Sequence, residues 1–386
     1  MLTPLGAVYS TNITPDKETG IGDYTFEQFN NAVKHGIRAD NKALYPAMPY
    51  PSYQIMPDAD VAAMYAYFMS LPPVKQANKA SELPPVLNWR WPLAYWQVLF
   101  APKREFTPEQ KAPLLVKGQY LVEGPGHCGS CHTGRGIGFQ ELTLTNGDNR
   151  FLAGAVIDGW RAKSLRGEAQ GLGMWSQAEL VEFFKTGRTD KTAAFGAMAD
   201  VVEHSTQHWT DSDLQAMSAY LKTLTPISGR PTTLPAKADT TTAKLLDGKY
   251  ENRGAILYAE YCQVCHRADG RGIKRIFPAL AGNSAVIADD AESVLQITMN
   301  GGRMPLTPHD RMAFTMPAFQ RLGDDDIVQV SNFIRNSWGN EARPVTIDDV
   351  VAMRQFLAKK PVTATDLPQD LKGETAGNKS TASGVR

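Results

Sequence analysis

The chain of 386 residues has only four cysteines, no net charge and no long apolar run. Its 40 Lys and Arg residues are balanced by 40 Asp and Glu residues. This balance argues against a general nucleic-acid binder, which needs a basic excess to neutralise phosphates. No apolar run approaches the roughly 18 residues of a membrane-spanning helix. With 42% hydrophobic and 21% charged residues, the chain can nevertheless build packed cores, so it is not a disordered protein.

The four cysteines form two copies of one short motif, at residues 128–132 and 262–266. The members are Cys128, Cys131 and His132 in the first copy, and Cys262, Cys265 and His266 in the second. Cys-x-x-Cys-His is the attachment signature of c-type haem, in which both thiols become thioethers to the haem vinyl groups. The adjacent histidine is then the proximal axial ligand of the iron. The sequence therefore predicts two covalently bound haem c groups.

Besides a chance match, the cysteines allow two other interpretations. A redox dithiol would need only one Cys-x-x-Cys and would tolerate any residue after the second cysteine. Two cysteine pairs could also supply the four thiolates of a tetrahedral zinc site. However, the pairs lie 134 residues apart, and a histidine follows each of them. Haem attachment explains both the repetition and the histidine.

A repeated pattern of helix, methionine loop and helix occurs three times. The first helix of each copy is predicted by a capping box and by a terminal glycine. The capping boxes are Thr25-x-x-Gln28, Ser176-x-x-Glu179 and Asp289-x-x-Glu292, and the glycines are Gly36, Gly187 and Gly301. The second helix of each copy begins with acidic residues and carries an aromatic residue seven positions after an Asp. These pairs are Asp60 with Tyr67, Asp213 with Tyr220, and Asp326 with Phe333. Such periodic similarity indicates repeated structural units.

Each copy carries one candidate methionine in the predicted loop between its helices: Met48, Met198 and Met316. Methionine is a common second axial ligand in electron-transfer cytochromes. Met198 follows the first haem motif and Met316 follows the second, so we expect the axial pairs His132 with Met198 and His266 with Met316. Met48 has no haem motif upstream and is interpreted as the orphan ligand of a missing first haem.

Residues 1–20 lack the positive head and apolar stretch of a signal peptide. Because the first copy also lacks a haem motif, we expect that the chain begins inside its first domain and that export signal and first motif were lost by truncation. A degenerate domain that never bound haem is the alternative.

These patterns predict an all-α protein made of tandem cytochrome c domains, two complete and one truncated, with long connecting loops. The predicted divisions are the truncated first domain 1–75, a linker 76–105, the second domain 106–226, a linker 227–245, the third domain 246–341, and a C-terminal extension and tail 342–386. A short helix is expected near 346–358, and the polar tail 366–386 is expected to be disordered.

The sequence resembles the trihaem cytochrome c subunit of membrane-bound bacterial alcohol and gluconate (or sorbitol) dehydrogenases. The stretches that carry the resemblance are TPLGAVYSTNITPDKETGIGDYT (3–25), ALYPAMPYPSY (43–53), GQYLVEGPGHCGSCHTGRG (118–136), YCQVCHRADGRG (261–272), FPALAGN (277–283) and NSWGN (336–340). The resemblance implies a dehydrogenase catalytic subunit, a quinoprotein or flavoprotein, as partner. It also implies ubiquinone as electron acceptor and a place at the periplasmic side of the cell membrane.

The sequence departs from that family at two places. The family carries three haems, whereas here the first Cys-x-x-Cys-His is not encoded, so a first haem is not expected although Met48 matches. The family often has a proline near Gly134, which is absent here. We expect that change to be tolerated because the loop only wraps the haem.

Several other residues are candidates for lesser roles. The aromatic segment 88–100 either packs between domains or contacts a membrane or partner subunit. His204 could compete for iron, but a surface position is the commoner case. His127 is expected to face solvent or a haem propionate. Propionate pairing or a solvated role is expected for Arg135, Arg271 and Arg275.

Closed His/Met coordination would leave no iron position open to a substrate. We therefore expect an electron conduit that is not an enzyme by itself and that works as the electron-transfer subunit of an oxidoreductase complex. The alternatives are a catalytic dihaem protein such as a peroxidase, which needs a vacant sixth position, and an inactive apo fragment.

Overall fold

The described residues fold mainly into helices with little strand, so the predicted all-α class is confirmed. The computed structural model describes residues 2–3, 6–85, 89–109, 111–234 and 237–359. The tail 366–386, for which disorder was predicted, lies outside the described residues. The described residues include no helix with the length and apolar character needed to cross a membrane.

The elements follow one another as helices joined by long irregular segments. The described α-helices are α1 (Phe26–His35), α2 (Tyr50–Tyr53), α3 (Asp58–Ser70), α4 (Trp91–Phe100), α5 (Pro113–Glu123), α6 (Gly129–His132), α7 (Gln177–Thr186), α8 (Ala197–His204), α9 (Asp211–Leu221), α10 (Thr241–Leu246), α11 (Arg253–Tyr261), α12 (Gln263–His266), α13 (Glu292–Asn300), α14 (Asp324–Arg335) and α15 (Ile347–Lys359). The strands are β1 (Leu2–Thr3), β2 (Gly6–Ala7), β3 (Ala155–Ile157), β4 (Trp160–Ala162), β5 (Gly302–Arg303) and β6 (Thr315–Met316). The helix expected near 346–358 is α15.

The chain forms two compact units. The first comprises residues up to 158 with 164–167 and 216–229, and the second comprises 159–163, 168–215 and residues from 230 onward.

Two of the three predicted capping boxes are confirmed. The Thr25 hydroxyl accepts from the Gln28 backbone N–H at 3.2 Å, and the Gln28 side chain accepts from the Thr25 N–H at 2.9 Å. Ser176 and Glu179 form the same reciprocal pair at 3.1 and 2.8 Å. Each pair satisfies two backbone donors that a helix start leaves without intrahelical partners.

The third predicted capping box is wrong. Helix α13 begins at Glu292 with Ala291 as its N-cap residue and without a side-chain cap. Asp289 lies too far before the first helical residue to cap it. Its carboxylate instead accepts from Arg230 at 2.7 Å. An ion pair with a residue distant in sequence has replaced the expected local contact.

The predicted glycine ends of the three helices are confirmed. Gly36 and Gly187 are left-handed, with φ of 63° and 74°. Gly301 has φ 69° and ψ −167°, a backbone region that is essentially restricted to glycine. Glycine therefore ends each helix because other residues would be strained there.

The first unit has a core between α1 and α3. Its buried residues are Ile21, Phe29, Val33, Met56 and Val61. The second unit has one core between α11 and α14 and another where α13, α14 and α15 meet. The first of these contains Leu257, Tyr258, Val330, Ile334 and Trp338, and the second contains Leu295, Met299, Ile327, Val350 and Met353. The haem motif at 262–266 directly follows α11, so these packed helices fix its position.

Candidate haem sites of a cytochrome c subunit

The motif at residues 262–266 lies on a single helical turn in the second unit. Cys262 is both the C-cap of α11 and the N-cap of α12, and His266 is the last residue of α12. The His266 N–H donates to the Cys262 carbonyl at 2.9 Å. This turn presents two thiols and an imidazole from adjacent positions, which is the arrangement that covalent haem attachment requires.

One contact orients the imidazole of His266. Its Nδ1 lies 3.0 Å from the Pro278 carbonyl oxygen, and the side chain is only 8% exposed. A carbonyl oxygen accepts only, so Nδ1 carries the proton and donates. Nε2 is then the nitrogen with a free lone pair, the form that binds a metal. Burial also lowers the pKa of His266, which favours this neutral imidazole.

The loop after His266 is held by hydrogen bonds, two of which are donated by large aromatic side chains. The Tyr258 hydroxyl donates to the Arg267 carbonyl at 2.7 Å, and the Trp338 indole N–H donates to the Ala268 carbonyl at 2.8 Å. The Leu280 N–H donates to the Gly270 carbonyl at 2.7 Å. These bonds bring Pro278 back to His266 although it lies twelve residues later.

The motif at residues 128–132 has the same local geometry in the first unit. The Cys128 N–H donates to the Val122 carbonyl at 3.2 Å, and the His132 N–H donates to the Cys128 carbonyl at 2.9 Å. The His132 carbonyl accepts from the Gly154 N–H at 2.7 Å. Both predicted haem motifs are therefore short helical turns whose ends are held by backbone hydrogen bonds.

Comparison with known proteins gives the same family. The cytochrome c sequence pattern matches residues 115–225 and 251–338. The chain is 47% identical over 365 residues to the gluconate 2-dehydrogenase cytochrome c subunit of Pantoea cypripedii, covering 92% of this chain and 82% of that one. It belongs to the cytochrome c subunits of bacterial dehydrogenases.

Two further relatives agree with this assignment. The alcohol dehydrogenase (quinone) cytochrome c subunit of Gluconobacter oxydans is 46% identical over 360 residues, covering 91% of this chain and 75% of that one. The fructose dehydrogenase cytochrome subunit of Gluconobacter japonicus is 34% identical over 383 residues, covering 91% and 76%. This cytochrome c subunit thus transfers electrons within a dehydrogenase complex, is not the catalytic subunit, and carries covalently bound haem c. These relatives lend no support to a peroxidase.

The cysteine environments of the cytochrome c subunit fit haem better than the other interpretations. Burial raises the pKa of Cys128 to about 12 and that of Cys262 to about 12. Reactive dithiols show the opposite, a lowered pKa that yields thiolate. Among the residues the structure describes, no three His, Cys, Asp or Glu side chains form a group that could hold a metal ion. All four thiols are free of disulfides and therefore available for thioether bonds. Bound haem supplies reversible one-electron transfer at iron.

The candidate axial methionines occupy three different backbone settings, and two of them are not loops. Met198 lies in the first turn of α8, and Met316 lies on strand β6, so the expectation of a methionine loop is wrong for both. Both are half-buried in the second unit. Met48 lies in a turn of the first unit and packs against the core that includes Phe29 and Val33. The axial roles of these methionines remain predictions.

The structure places the accessory residues in specific contacts. The ring of His127 is half-buried and packs edge-on against Tyr53, with centroids 5.7 Å apart. Arg135 donates to the carbonyls of Ser130 and Phe139, within its own loop. His204 is exposed, as expected for a surface histidine. Arg275 forms ion pairs with Glu182 and Asp310.

Sequence reasoning missed a buried carboxylate just before the first haem motif. Glu123 accepts from the Tyr220 hydroxyl at 2.9 Å, from Gln119 at 3.2 Å and from Arg104 at 3.2 Å. Its side chain is 1% exposed. Burial raises the pKa of Glu123 to about 7, although Tyr220 and Arg104 act in the opposite direction. A lone Glu at a helix end gives no sequence signal for such a network.

Proposed function

We propose that this cytochrome c subunit carries electrons from the catalytic subunit of a dehydrogenase to ubiquinone at the periplasmic face of a membrane. The observation that carries the proposal is the His266 turn, where the buried Cys262 and the half-buried Cys265 precede an imidazole already oriented by Pro278. The relatives belong to a gluconate 2-dehydrogenase and an alcohol dehydrogenase (quinone), which supports a CH–OH donor oxidised by the partner, a quinoprotein or flavoprotein.

The proposed ligand set gives each haem one imidazole and one thioether. His132 and Met198 would hold the haem attached to Cys128 and Cys131, and His266 and Met316 would hold the haem attached to Cys262 and Cys265. A thioether ligand raises the potential of haem iron. Coordination closed in this way favours outer-sphere electron transfer over binding of a substrate.

Helix α4 supports contact with a membrane surface. On one side it is attached to the first unit: the Trp96 indole N–H donates to the Gly138 carbonyl at 2.6 Å, and the Gln97 amide donates to the Gly36 carbonyl at 3.0 Å. On its other side, Tyr95, Val98 and Leu99 are 66%, 78% and 70% exposed. Aromatic and aliphatic side chains presented together on a short helix suit insertion at a lipid interface.

The conduit is tested by following electrons through the purified haem-loaded subunit with its catalytic partner. We expect the donor substrate to reduce both haems and a soluble ubiquinone analogue to reoxidise them, in stopped-flow absorbance. A subunit that is reduced by its partner but is not reoxidised by the quinone analogue would leave electron transfer intact and contradict the quinone assignment. Turnover of hydrogen peroxide by the subunit alone would favour the peroxidase alternative.

A further inference from the structure

Strand β6, which carries Met316, and its partner β5 are too short to fix the position of Met316 by themselves. β5 and β6 pair over two residues each, Gly302 with Met316 and Arg303 with Thr315. A two-stranded hairpin is marginal in water even when it is longer than this one. The connecting segment 304–314 is therefore held by contacts from elsewhere in the second unit.

One carboxylate, that of Glu203, holds both the strand and the connecting segment. It accepts from Nη2 of Arg303 at 2.8 and 3.1 Å and from the Leu306 backbone N–H at 3.0 Å. The Arg303 and Glu203 side chains are only 4% and 19% exposed. Hydrogen bonds between charged groups shielded from water are stronger than neutral ones. Breaking this pair would leave a buried charge without its partner.

A second contact set acts on the same segment from Arg188. Its guanidinium donates to the Met312 carbonyl at 2.9 Å and to the Pro305 carbonyl at 3.4 Å. The preceding Gly187 lies so close to Pro305 that an added Cβ would be 2.1 Å from the proline ring. The segment before Met316 is thus fixed from two sides by residues of 187–203.

We propose that Glu203 is a positioning residue for Met316. By fixing Arg303, the ladder partner of Thr315, and Leu306 in the connecting segment, it sets where the Met316 thioether stands relative to His266. The proposal rests on Met316 being an axial ligand. Glu203 also lies on α8, the helix whose first turn contains Met198. One ion pair therefore connects the segments that carry both candidate axial methionines.

The test uses the haem-loaded full chain with Glu203→Ala and Glu203→Gln. Two readouts are taken: hydrogen exchange of residues 302–316, and cyanide titration followed by loss of the Met–iron charge-transfer band. For Glu203→Ala we expect faster exchange in this segment and displacement of one methionine at about tenfold lower cyanide concentration. Glu203→Gln keeps an oxygen for Leu306 but loses the charge, so its shift should be smaller and in the same direction.

Glu251→Gln is the matched control, because Glu251 pairs with Lys244 on the surface, where the two side chains are 58% and 44% exposed. It should leave both readouts at the wild-type values. If Glu203→Ala matched the control while Met316→Ala lost its band, the positioning role would be overturned and the ligand assignment kept. If Met316→Ala kept the full band, both would be overturned. Should Glu203→Ala not fold, the same comparison is made with Glu203→Gln.

Discussion

At the scale of single residues, the candidate sites depend on contacts that fix one atom at a time. The Pro278 carbonyl selects which imidazole nitrogen of His266 carries the proton, and so which one can face iron. The methionine assignments likewise depend on one atom, because only a thioether sulfur that reaches the iron gives a Met–iron charge-transfer band.

The methionine assignments predict that replacing a ligand methionine has an effect that replacing a nearby methionine does not have. Met198→Ala and Met316→Ala should each remove about half of the charge-transfer band, give one high-spin haem and lower its potential, since an axial thioether raises haem potentials. Absorbance and redox titration measure this. Met312→Ala is the control, because Met312 lies on the same segment as Met316 and is 67% exposed. Unchanged potentials in either ligand variant would refute that ligand.

Glu123 predicts a pH dependence of stability. Its pKa is raised from 4.5 to about 7 by burial, in contact with Arg104 and Tyr220 and under the added negative charge of Glu109. Between pH 4.5 and about 7, Glu123 holds its proton in the folded state but loses it in the unfolded state, so the folded state binds more protons. The free energy of unfolding should therefore fall as pH rises through this window, by up to about 3 kcal/mol.

The check is the pH profile of chemical unfolding for wild type and Glu123→Gln. The variant cannot ionise, so its profile should lack that decline, whereas the exposed control Glu105→Gln should keep it. A wild-type free energy of unfolding that rises over this range would show that Glu123 is ionised in the fold, with Arg104 outweighing burial.

At the scale of elements, some contacts are set by residues close in sequence and others by residues far apart in sequence. Thr25 and Gln28 lie three residues apart, so their capping box could be predicted from sequence, and it formed. Asp289 has the same spacing to Glu292, but its carboxylate pairs with Arg230, 59 residues away. The network of Glu123 with Tyr220 and the pair of Glu203 with Arg303 join residues 97 and 100 positions apart. No short pattern encodes such pairs, so they could not be predicted from the sequence.

Helix α4 predicts a membrane contact that depends on its exposed face. Replacing Val98 and Leu99 together by serine should weaken binding to vesicles of phosphatidylcholine and phosphatidylglycerol at least about tenfold, because buried aliphatic surface would be lost. Co-sedimentation measures this. Leu246→Ser, at a site 73% exposed on another helix, should bind like wild type. Equal binding by all three proteins would place the lipid contact elsewhere.

At the scale of the whole chain, the haem motifs identified the class while the backbone setting of the methionines was misjudged. Residues 128–132 and 262–266 are recognised because covalent attachment demands fixed neighbours. Axial methionines come from distant positions and can sit on any backbone. Met198 on a helix and Met316 on a strand illustrate why their conformation could not be predicted.

The two-sided hold on the segment before Met316 limits how the protein can be dissected. A cut within 227–245, between the predicted second and third domains, would yield a fragment lacking both Arg188 and Glu203. Arg303, almost fully buried in the intact chain, would then lose its counter-ion, and Met312 and Pro305 would lose their donor. We therefore expect excision at this linker to loosen the segment that carries Met316, the proposed axial ligand, so that the redox behaviour of the fragment would misrepresent that haem in the intact chain.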